Sequence, residues 1–357
     1  MLFEKLKKLI DRQYYPLNRI EISKKKLIRN YRRLSSISEK IKVAPVLKSN
    51  AYGHGIVEVA KILDVMNPPL FCVDSLHEAY KLYKAKIKSN ILIMGYVNPQ
   101  NLKVKELPFF YSVYGLNQLK QILKYQPKAK IHIFVDTGMH REGILLDKLD
   151  EFIKNIPENY LKNVEGVMSH LSASDQPDKK ETREQVMNFK KALEIFNKNK
   201  IFPKWRHIAN SGGLLNSKIL KLAGISNLAR SGIALYDSSL RFITHINQIK
   251  KIKKGDKVGY DFTYTAKKDS LMAVLPVGYN DGVDRILSNK GKVLVRGIIC
   301  PIIGRVSMNI TTVDVSKVKN IKVGDEVEII FNPKIKERIS YEFLVHLNSE
   351  IRKVVVD

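Results

Sequence analysis

Over the first two thirds of the chain, short apolar runs alternate with longer segments whose apolar residues recur at helical spacing. Eight of the runs predict β-strands, at residues 43–47, 70–73, 91–94, 110–114, 131–135, 164–168, 206–209 and 228–230. The segments between them predict helices, among them 56–63, 75–85, 116–124, 147–154, 181–197 and 212–222. Strands that alternate with helices favour a parallel sheet. Eight such units in about 230 residues are typical of a closed (β/α)8 barrel of the TIM type.

The rhythm changes after residue 245, where short apolar runs are separated by turn signals instead of helices. Strands are predicted at 258–265, 271–277, 292–299, 310–315 and 326–331. This spacing predicts a mainly-β domain. The stretch KKIKKGDKVGY, residues 250–260, is expected to form a linker and the first strand. The predicted organisation is therefore α/β: a basic extension over 1–18, a barrel over 19–245 and a C-terminal β domain over 246–357.

Composition and charge narrow the class of protein. The chain has 357 residues, of which 44% are hydrophobic, so it can bury a sizeable core. Its 62 basic and 35 acidic residues give a net charge of +27, but the basic residues are scattered in short clusters. We therefore expect a solvated basic surface and no specific nucleic-acid partner. We also expect no membrane span, because no apolar stretch reaches about 18 residues, and no signal peptide at the N-terminus.

The two cysteines, Cys72 and Cys300, lie far apart in sequence and both sit in apolar runs. Two buried free thiols in a reducing, cytoplasmic compartment are the expected outcome.

The segment VLKSNAYGHG, residues 46–55, carries the first candidate chemistry. Lys48 closes the first predicted barrel strand, and barrel enzymes place their chemistry at the C-terminal ends of the strands. An amine at that position can act as a nucleophile toward a carbonyl carbon. The hydroxyl of Tyr52 could reach a phosphate, and Gly53 and Gly55 permit a tight turn. On this segment alone, an ordinary strand-end lysine is an equally good interpretation.

Eight segments, in the same order along the chain, resemble motifs of the alanine racemases, which are pyridoxal-phosphate enzymes built from a barrel and a β domain. They are VLKSNAYGHG (46–55), FVDTGMHREG (134–143), MSHLSASD (168–175), HIANSGG (207–213), ARSGIALYD (229–237), VGYDFTYTA (258–266), LPVGYNDGVDR (275–285) and IGRVSMNITTVDV (303–315). The resemblance extends from about Arg19 to the end of the chain. It implies that pyridoxal 5′-phosphate is the cofactor and that a homodimer with composite active sites interconverts L-alanine and D-alanine, supplying D-alanine for peptidoglycan.

The resemblance implies two proton-transfer bases on opposite faces of the substrate α-carbon. Lys48 would bind the cofactor covalently and act as one base, and Tyr260 of the partner subunit would act as the other. The family places a histidine beside this tyrosine and an arginine beyond it, and the matching residues are His170 and Arg230. Arg230 would face the pyridine nitrogen and, as a permanent donor, leave that nitrogen unprotonated. Without the resemblance, Tyr260 is a cross-strand aromatic residue and His170 a core histidine.

Further positions match the family's binding residues, each beside a structural alternative. The implied roles are cofactor binding by Tyr52, Asn210, Ser211, Gly232 and Ile233, substrate binding by Arg141, Tyr279 and the partner's Met308, and an access channel lined by Asp175, Arg285 and Arg305. Asn210 and Ser211 also fit a helix N-cap. Arg141 also fits a surface arginine, and the three channel residues also fit a surface ion-pair cluster.

Three positions depart from the family pattern. Phe134 stands where many members have a lysine, often carbamylated, that positions the carboxylate-binding arginine. Asn309 stands where an Asp is common. Val355 replaces a C-terminal tyrosine, which removes one phosphate hydrogen bond, worth about 1–2 kcal/mol, and widens the substrate pocket.

Two alternatives to an alanine racemase stay open. The wider pocket is compatible with a racemase of broader or different specificity, for example toward serine or basic amino acids. The high charge is compatible with a non-catalytic basic binding protein, which loss of Lys48, Tyr260 or Arg230 would favour; all three are present.

Overall fold

The computed structural model describes residues 16–330 and 340–357, and the chain divides into two compact units. One unit is Lys24–Ser239, and the other combines the chain up to Ser23 with Leu240–Asp357. The basic extension predicted over 1–18 lies outside the described residues except for its last three. The first strand, β1 (Arg19–Ser23), belongs to the second unit and not to the barrel in which the sequence analysis placed it.

Eight parallel strands form the barrel of the first unit, and each lies within one or two residues of its predicted position. In chain order the strands are β2 (Lys42–Pro45), β3 (Phe71–Val73), β4 (Ile91–Ile93), β5 (Phe110–Val113), β6 (Ile131–Asp136) with the short β7 (Ile144–Leu145) beside it, β8 (Val164–Met168), β9 (Trp205–His207) and β10 (Leu228–Ser231). Strands β3, β4, β5, β6, β8 and β9 pair in that order, and β10 pairs with β2. The Leu47 N–H donates to the Cys72 carbonyl (2.7 Å) and the Arg230 N–H to the Ala209 carbonyl (2.9 Å), which closes the ring.

Helices follow most barrel strands. They are α1 (Lys24–Ser35), α2 (Ile56–Asp64), α3 (Leu76–Lys84), α4 (Pro99–Leu102), α5 (Leu116–Tyr125), α6 (Leu149–Lys154), α7 (Lys180–Lys198) and α8 (Ser211–Leu215), with 3-10 turns at Leu146–Lys148, Glu158–Asn163 and Ile233–Leu235. The prediction over 212–222 was too long, because Asn216 leaves the helical conformation and its amide donates to the Ser174 carbonyl (2.9 Å). Among residues 16–330 and 340–357, no helix has the length and apolar character that a membrane span requires.

The barrel interior is packed with side chains from alternate strand positions, as expected of a closed parallel barrel. Eight buried residues form one cluster there: Ala44, Val46, Leu70, Cys72, Leu92, Phe134, Met168 and Leu228. Both cysteines of the chain are free and buried, as expected.

The second unit consists mainly of antiparallel strands. Its elements are β11 (Leu240–His245), β12 (Gln248–Ile252), β13 (Lys257–Val258), β14 (Tyr264–Thr265), β15 (Ser270–Leu275), β16 (Lys292–Val295), β17 (Ile298–Pro301), β18 (Thr311–Asp314), β19 (Glu326–Ile330), α9 (Ser340–Val345) and β20 (Arg352–Val356), with 3-10 turns at Tyr260–Phe262, Tyr279–Asp281 and Arg285–Leu287. A six-stranded sheet has the order β17-β16-β19-β11-β1-β20, and a three-stranded sheet has the order β12-β15-β18. Strand β1 pairs parallel to β20 and antiparallel to β11, so both ends of the chain contribute to one sheet.

Three predictions for this unit were wrong. The linker expected at 250–260 begins inside β12, which pairs with β15. The strand expected at 258–265 is instead two short strands around a left-handed turn. The strand expected at 292–299 is a hairpin, because Arg296 (φ 48°) and Gly297 (φ 78°) form a two-residue turn with positive φ at both positions.

A substitution of Gly166 in β8 tests how tightly the barrel interior is packed. A Cβ atom at this position would lie 2.3 Å from Nδ1 of the buried His132. We expect Gly166→Ala to lower the free energy of unfolding by about 1–3 kcal/mol in urea denaturation. The matched control is Gly115→Ala, where a Cβ meets nothing within 4 Å and the expected loss is below about 1 kcal/mol. Equal stability of the two variants would contradict this packing.

Candidate active site

Lys48 opens a turn with an unusual left-handed backbone. Ser49, Asn50 and Ala51 have φ angles of 55°, 53° and 53°, and Tyr52 has a φ of 53°. Each non-glycine residue in this conformation costs roughly 1–2 kcal/mol. Strain of this kind persists only where the surroundings over-determine it, and it concentrates at functional sites.

Side chains on both sides hold the turn in place. The Asn50 carboxamide oxygen accepts the Ile56 N–H (2.9 Å), which ties the turn to the start of α2. Nδ1 of the buried His54 donates to the Tyr52 carbonyl (3.0 Å), and Nε2 lies 3.0 Å from the Ser239 hydroxyl. Burial lowers the pKa of His54 to about 4, so this histidine is neutral near neutral pH.

A cluster of hydrogen-bond donors lies at the end of β10. The Tyr52 hydroxyl approaches Gly232 so closely that a Cβ there would lie 2.5 Å away. The Ser211 hydroxyl oxygen accepts the N–H groups of Gly232 (3.1 Å) and Ala234 (3.4 Å). These two hydroxyls and the peptide N–H groups that begin the turn Ile233–Leu235 form a cradle that suits a phosphate, and a larger side chain at 232 would fill it.

Arg230 is almost completely buried, with 3% of its surface exposed. Its Nη1 donates to the carbonyl oxygen (2.9 Å) and to Nδ1 (2.7 Å) of His207. Its Nη2 donates to the Ser169 carbonyl (2.6 Å) and to Nδ1 of His170 (3.1 Å). Burial lowers the pKa of Arg230 to about 10, so the side chain is still a cation near neutral pH.

Two histidines that the sequence analysis did not select extend this network. Nε2 of His207 lies 2.7 Å from Nδ1 of His132, and both rings are fully buried. Because Nδ1 of His207 accepts from Arg230, its Nε2 carries the proton and donates to His132. Burial, followed by the charge of Arg230, lowers the pKa of His132 to about 3 and that of His207 well below its ordinary value. Their sequence signal was a polar residue inside a predicted buried strand.

Four of the predicted residues come together at the same end of the barrel. Burial lowers the pKa of His170 to about 3, and the charges of Arg230, Arg141 and Lys48 lower it further, in that order of size. Near neutral pH, His170 is therefore a neutral ring surrounded by three cations. Since its Nδ1 accepts from Arg230, Nε2 carries the proton.

Arg141 lies on the loop that follows β6. The Asp136 carboxylate accepts the N–H groups of Gly138 (2.9 Å) and Met139 (3.1 Å), which fixes the start of this loop. Arg141 lines a narrow recess together with Phe134, Glu142 and His170. Its Nε lies 3.6 Å from the Glu142 carboxylate, and the buried Phe134 lines the same recess.

Asn210 is the N-cap residue of α8, which is the structural role that the sequence predicted for it beside cofactor binding. Its side-chain oxygen accepts the Gly213 N–H (3.0 Å), and its amide donates to the Leu171 carbonyl (3.4 Å). Asp175, on the loop between β8 and α7, is exposed.

The second unit carries the remaining predicted site residues, and several of them surround the segment Gly304–Met308. The Tyr279 N–H donates to the Ser307 carbonyl (3.0 Å), and the Asn280 N–H donates to the Met308 carbonyl (3.0 Å). The segment, which ends at Met308, thus positions Tyr279, and the two residues are 56% and 42% exposed, respectively.

Tyr260 projects from the turn between β13 and β14, and 68% of its side chain is exposed. Arg305, predicted for an access channel, pairs with Asp261 of this turn, whereas Arg285 is exposed. Val355 lies in β20, opposite Ile22 of β1.

The N-terminal domain of the alanine racemase family matches residues 22–239, and its C-terminal domain matches residues 239–356. The chain belongs to the alanine racemase family. The resemblance of the eight sequence motifs is thereby confirmed. An alanine racemase of Fusobacterium nucleatum subsp. nucleatum is a relative that is 36% identical over 361 residues, which cover 94% of this chain and 99% of the relative.

Solved structures of the alanine racemase family share the fold. The alanine racemase of Clostridium difficile 630 gives a TM-score of 0.84 at 25% identity, covering 96% of this chain and 97% of that one. The alanine racemase from Bartonella henselae with covalently bound pyridoxal phosphate gives a TM-score of 0.81 at 24% identity, covering 96% and 100%. The predicted barrel followed by a mainly-β region is thereby confirmed.

The buried histidines make stability depend on pH. In the unfolded chain a histidine titrates near its ordinary pKa of about 6.5, whereas the pKa of His54 is lowered to about 4. Below about pH 6.5 the unfolded chain therefore binds protons that the folded chain does not. As the pH is lowered, the free energy of unfolding then decreases by up to about 1.4 kcal/mol per pH unit for each such histidine. We expect urea unfolding at about pH 5 to show this loss relative to about pH 7.

A matched pair of variants isolates one histidine. His54→Gln should lose less stability between these two pH values than His77→Gln, since His77 is exposed on α3. An identical pH dependence in both variants would contradict a neutral His54.

Proposed function

We propose that this protein is an alanine racemase that interconverts L-alanine and D-alanine with pyridoxal 5′-phosphate as cofactor. The observation that carries the proposal is the grouping of Lys48, His170 and Arg230 with the phosphate cradle at one end of one barrel. The relative from Fusobacterium nucleatum is an alanine racemase, and the Bartonella henselae structure contains covalently bound pyridoxal phosphate. Lys48, Tyr260 and Arg230 are all present, which argues against a non-catalytic binding protein.

The side chains present fit this cofactor. Lys48 would bind it covalently, the cradle of Tyr52, Ser211 and the N–H groups of Gly232 and Ile233 would hold its phosphate, and Arg230 would face its ring nitrogen. A Cβ at Gly232 would lie 2.5 Å from the Tyr52 hydroxyl, so a side chain at this position would displace that donor from the cradle. Bound pyridoxal phosphate withdraws electrons from the α-carbon of an amino acid, which makes the α-proton removable.

The protonation states of the buried groups define what they do. Arg230 stays protonated near neutral pH, so it would face the ring nitrogen as a fixed cation that gives up no proton, and this would limit electron withdrawal to what proton exchange requires. His170 is neutral with its proton on Nε2, so it can donate to a phenol oxygen that is losing its proton. Arg141 binds the substrate carboxylate, for which its planar fork is suited.

The two bases act from opposite faces of the α-carbon. Lys48 is one base, and Tyr260 of the partner subunit is the other. A homodimer is supported by exposed apolar residues in the turns and loops of the second unit that carry the predicted site residues: Tyr260, Phe262, Tyr279, Met308 and Ile310. Such a group of exposed apolar residues is typical of a surface that another chain covers. The backbone of the partner's Met308 completes the carboxylate site.

Alanine is the first candidate substrate, because Tyr260 and Tyr279 would crowd larger side chains. Val355 favours a second candidate, a racemase of broader specificity. Comparing solvent-deuterium uptake at the α-carbon of alanine, serine, lysine and arginine distinguishes the two. The enzyme acts in the cytoplasm, in agreement with its buried free thiols, and its D-alanine supplies peptidoglycan synthesis.

A complementation experiment tests the composite site. Lys48→Ala and Tyr260→Phe should each lower the rate of D-alanine formation by at least about 100-fold as homodimers. When the two chains are co-expressed, about half of the dimers are mixed, and each mixed dimer has one site with both bases. We therefore expect about a quarter of the parental activity to return.

The matched control pairs Lys48→Ala with the double variant Lys48→Ala/Tyr260→Phe, in which no site has both bases. Two different affinity tags establish that mixed dimers have formed. If such dimers form and stay inactive, the two bases do not come from different subunits.

A further inference from the structure

The turn that carries Tyr260 has left-handed residues on both sides of the tyrosine. Gly259 has a φ of 77°, Asp261 of 56° and Phe262 of 53°. Aspartate tolerates this conformation better than most residues, because its short side chain can hydrogen-bond locally. A bulky residue such as Phe262 does not. The turn therefore keeps its shape only if neighbouring groups hold it.

Two side-chain contacts join this turn to the segment Gly304–Met308 of the same unit. The Asp261 carboxylate forms an ion pair with Nη1 of Arg305. Asn289 donates through its amide to the Thr263 carbonyl (3.2 Å), and its side-chain oxygen accepts the Gly304 N–H (2.7 Å). The middle and the C-terminal end of the turn are thus linked to one segment.

The backbone of the turn that carries Tyr260 also lies in direct contact with the backbone of the segment Gly304–Met308. A Cβ at Gly259 would lie 3.0 Å from the Arg305 nitrogen, and a Cβ at Gly304 would lie 2.9 Å from the Val258 carbonyl oxygen. Val258 is buried, so the strand that leads into the turn is anchored in the core of the unit. These backbone contacts therefore fix the position of Arg305 relative to the turn independently of the ion pair.

We propose that Asp261 and Arg305 are positioning residues for Tyr260, and that their ion pair fixes the turn from which the phenol projects. This rests on the proposed function, in which Tyr260 is a proton-transfer base. With 68% of its side chain exposed in its own unit, Tyr260 owes its direction to its backbone. The ion pair is also exposed, 35% at Arg305 and 66% at Asp261, so it adds little to global stability and acts locally.

Three variants of the full-length enzyme with its cofactor test the pair: Asp261→Asn, Arg305→Gln and the double variant. Asparagine also tolerates the left-handed conformation, so Asp261→Asn removes the charge and not the turn. Because a misplacement of about 1 Å can cost about 100-fold, we expect each single variant to lower kcat/KM about tenfold. The double variant should be no slower than either, since the two residues act as one unit.

The matched control is Glu328→Gln. Glu328 forms an ion pair with Arg241 (2.8 Å) in the same unit, outside the site. Its kcat/KM should equal that of the parent, and thermal unfolding of all four variants should stay close to that of the parent.

Two further readouts separate positioning from a general loss of structure. With substrates deuterated at the α-carbon, the isotope effect on kcat/KM should rise for the enantiomer whose proton Tyr260 removes and not for the other. A smaller fraction of active enzyme would leave both isotope effects unchanged. Amide hydrogen exchange in the peptide 257–265 should become faster in Asp261→Asn than in Glu328→Gln.

The outcomes are distinguishable. If the parent racemises alanine but Asp261→Asn matches Glu328→Gln in rate, isotope effects and exchange, the pair does not position Tyr260. If only Arg305→Gln is slow, Arg305 acts in the access channel, and the proposal also fails. If the parent does not racemise any amino acid, the proposed function fails, while the exchange measurement still decides whether the ion pair holds the turn.

Discussion

A guanidinium buried inside a barrel needs acceptors for its donors, and Arg230 finds them among its neighbours for both of its terminal nitrogens. Its donors face the carbonyl oxygens of Ser169 and His207 and the Nδ1 atoms of His170 and His207. A buried charge without such partners costs about 3–5 kcal/mol. Both histidines must accept from Arg230, so both are neutral and both carry their proton on Nε2. One buried cation therefore sets the protonation of the whole network.

The need for hydrogen-bond partners around Arg230 also determines which residues can pack inside the barrel. The proton on Nε2 of His207 requires an acceptor, which is Nδ1 of His132 (2.7 Å). His132 in turn fits beside β8 only because Gly166 has no side chain. Gly232 likewise has no side chain, which leaves space for the Tyr52 hydroxyl. Polar chemistry inside this barrel thus depends on small residues at defined positions.

The strands of the barrel could be predicted because parallel strands that are buried on both faces are continuous apolar runs. The second unit was harder to predict. The aromatic-rich segment 258–265 has the composition of a strand, yet left-handed residues at 261 and 262 divide it. Arg296 and Gly297 form a tight turn although Arg-Gly is not a typical turn sequence. Helix α1 begins with three lysines, which hid the buried face that Leu27 and Leu34 form.

The site was predicted by motif and not by pattern. Lys48, His170 and Arg230 were selected because their segments resemble the alanine racemases, and the structure brings them together. His132 lies outside the eight motifs, and His207 opens one of them without a role of its own there, so the geometry is needed to connect both histidines to Arg230. The pairing of Arg305 with Asp261 was also beyond prediction, because it joins turns 44 residues apart in sequence.

The most direct test asks which lysine holds the cofactor. The protein, purified with pyridoxal phosphate, is reduced with borohydride and digested, and the peptides are mapped by mass spectrometry. The grouping of Lys48 with Arg230 and the phosphate cradle predicts a pyridoxyl group on Lys48 alone. A pyridoxyl group on another lysine, or one spread over several surface lysines, would contradict this site.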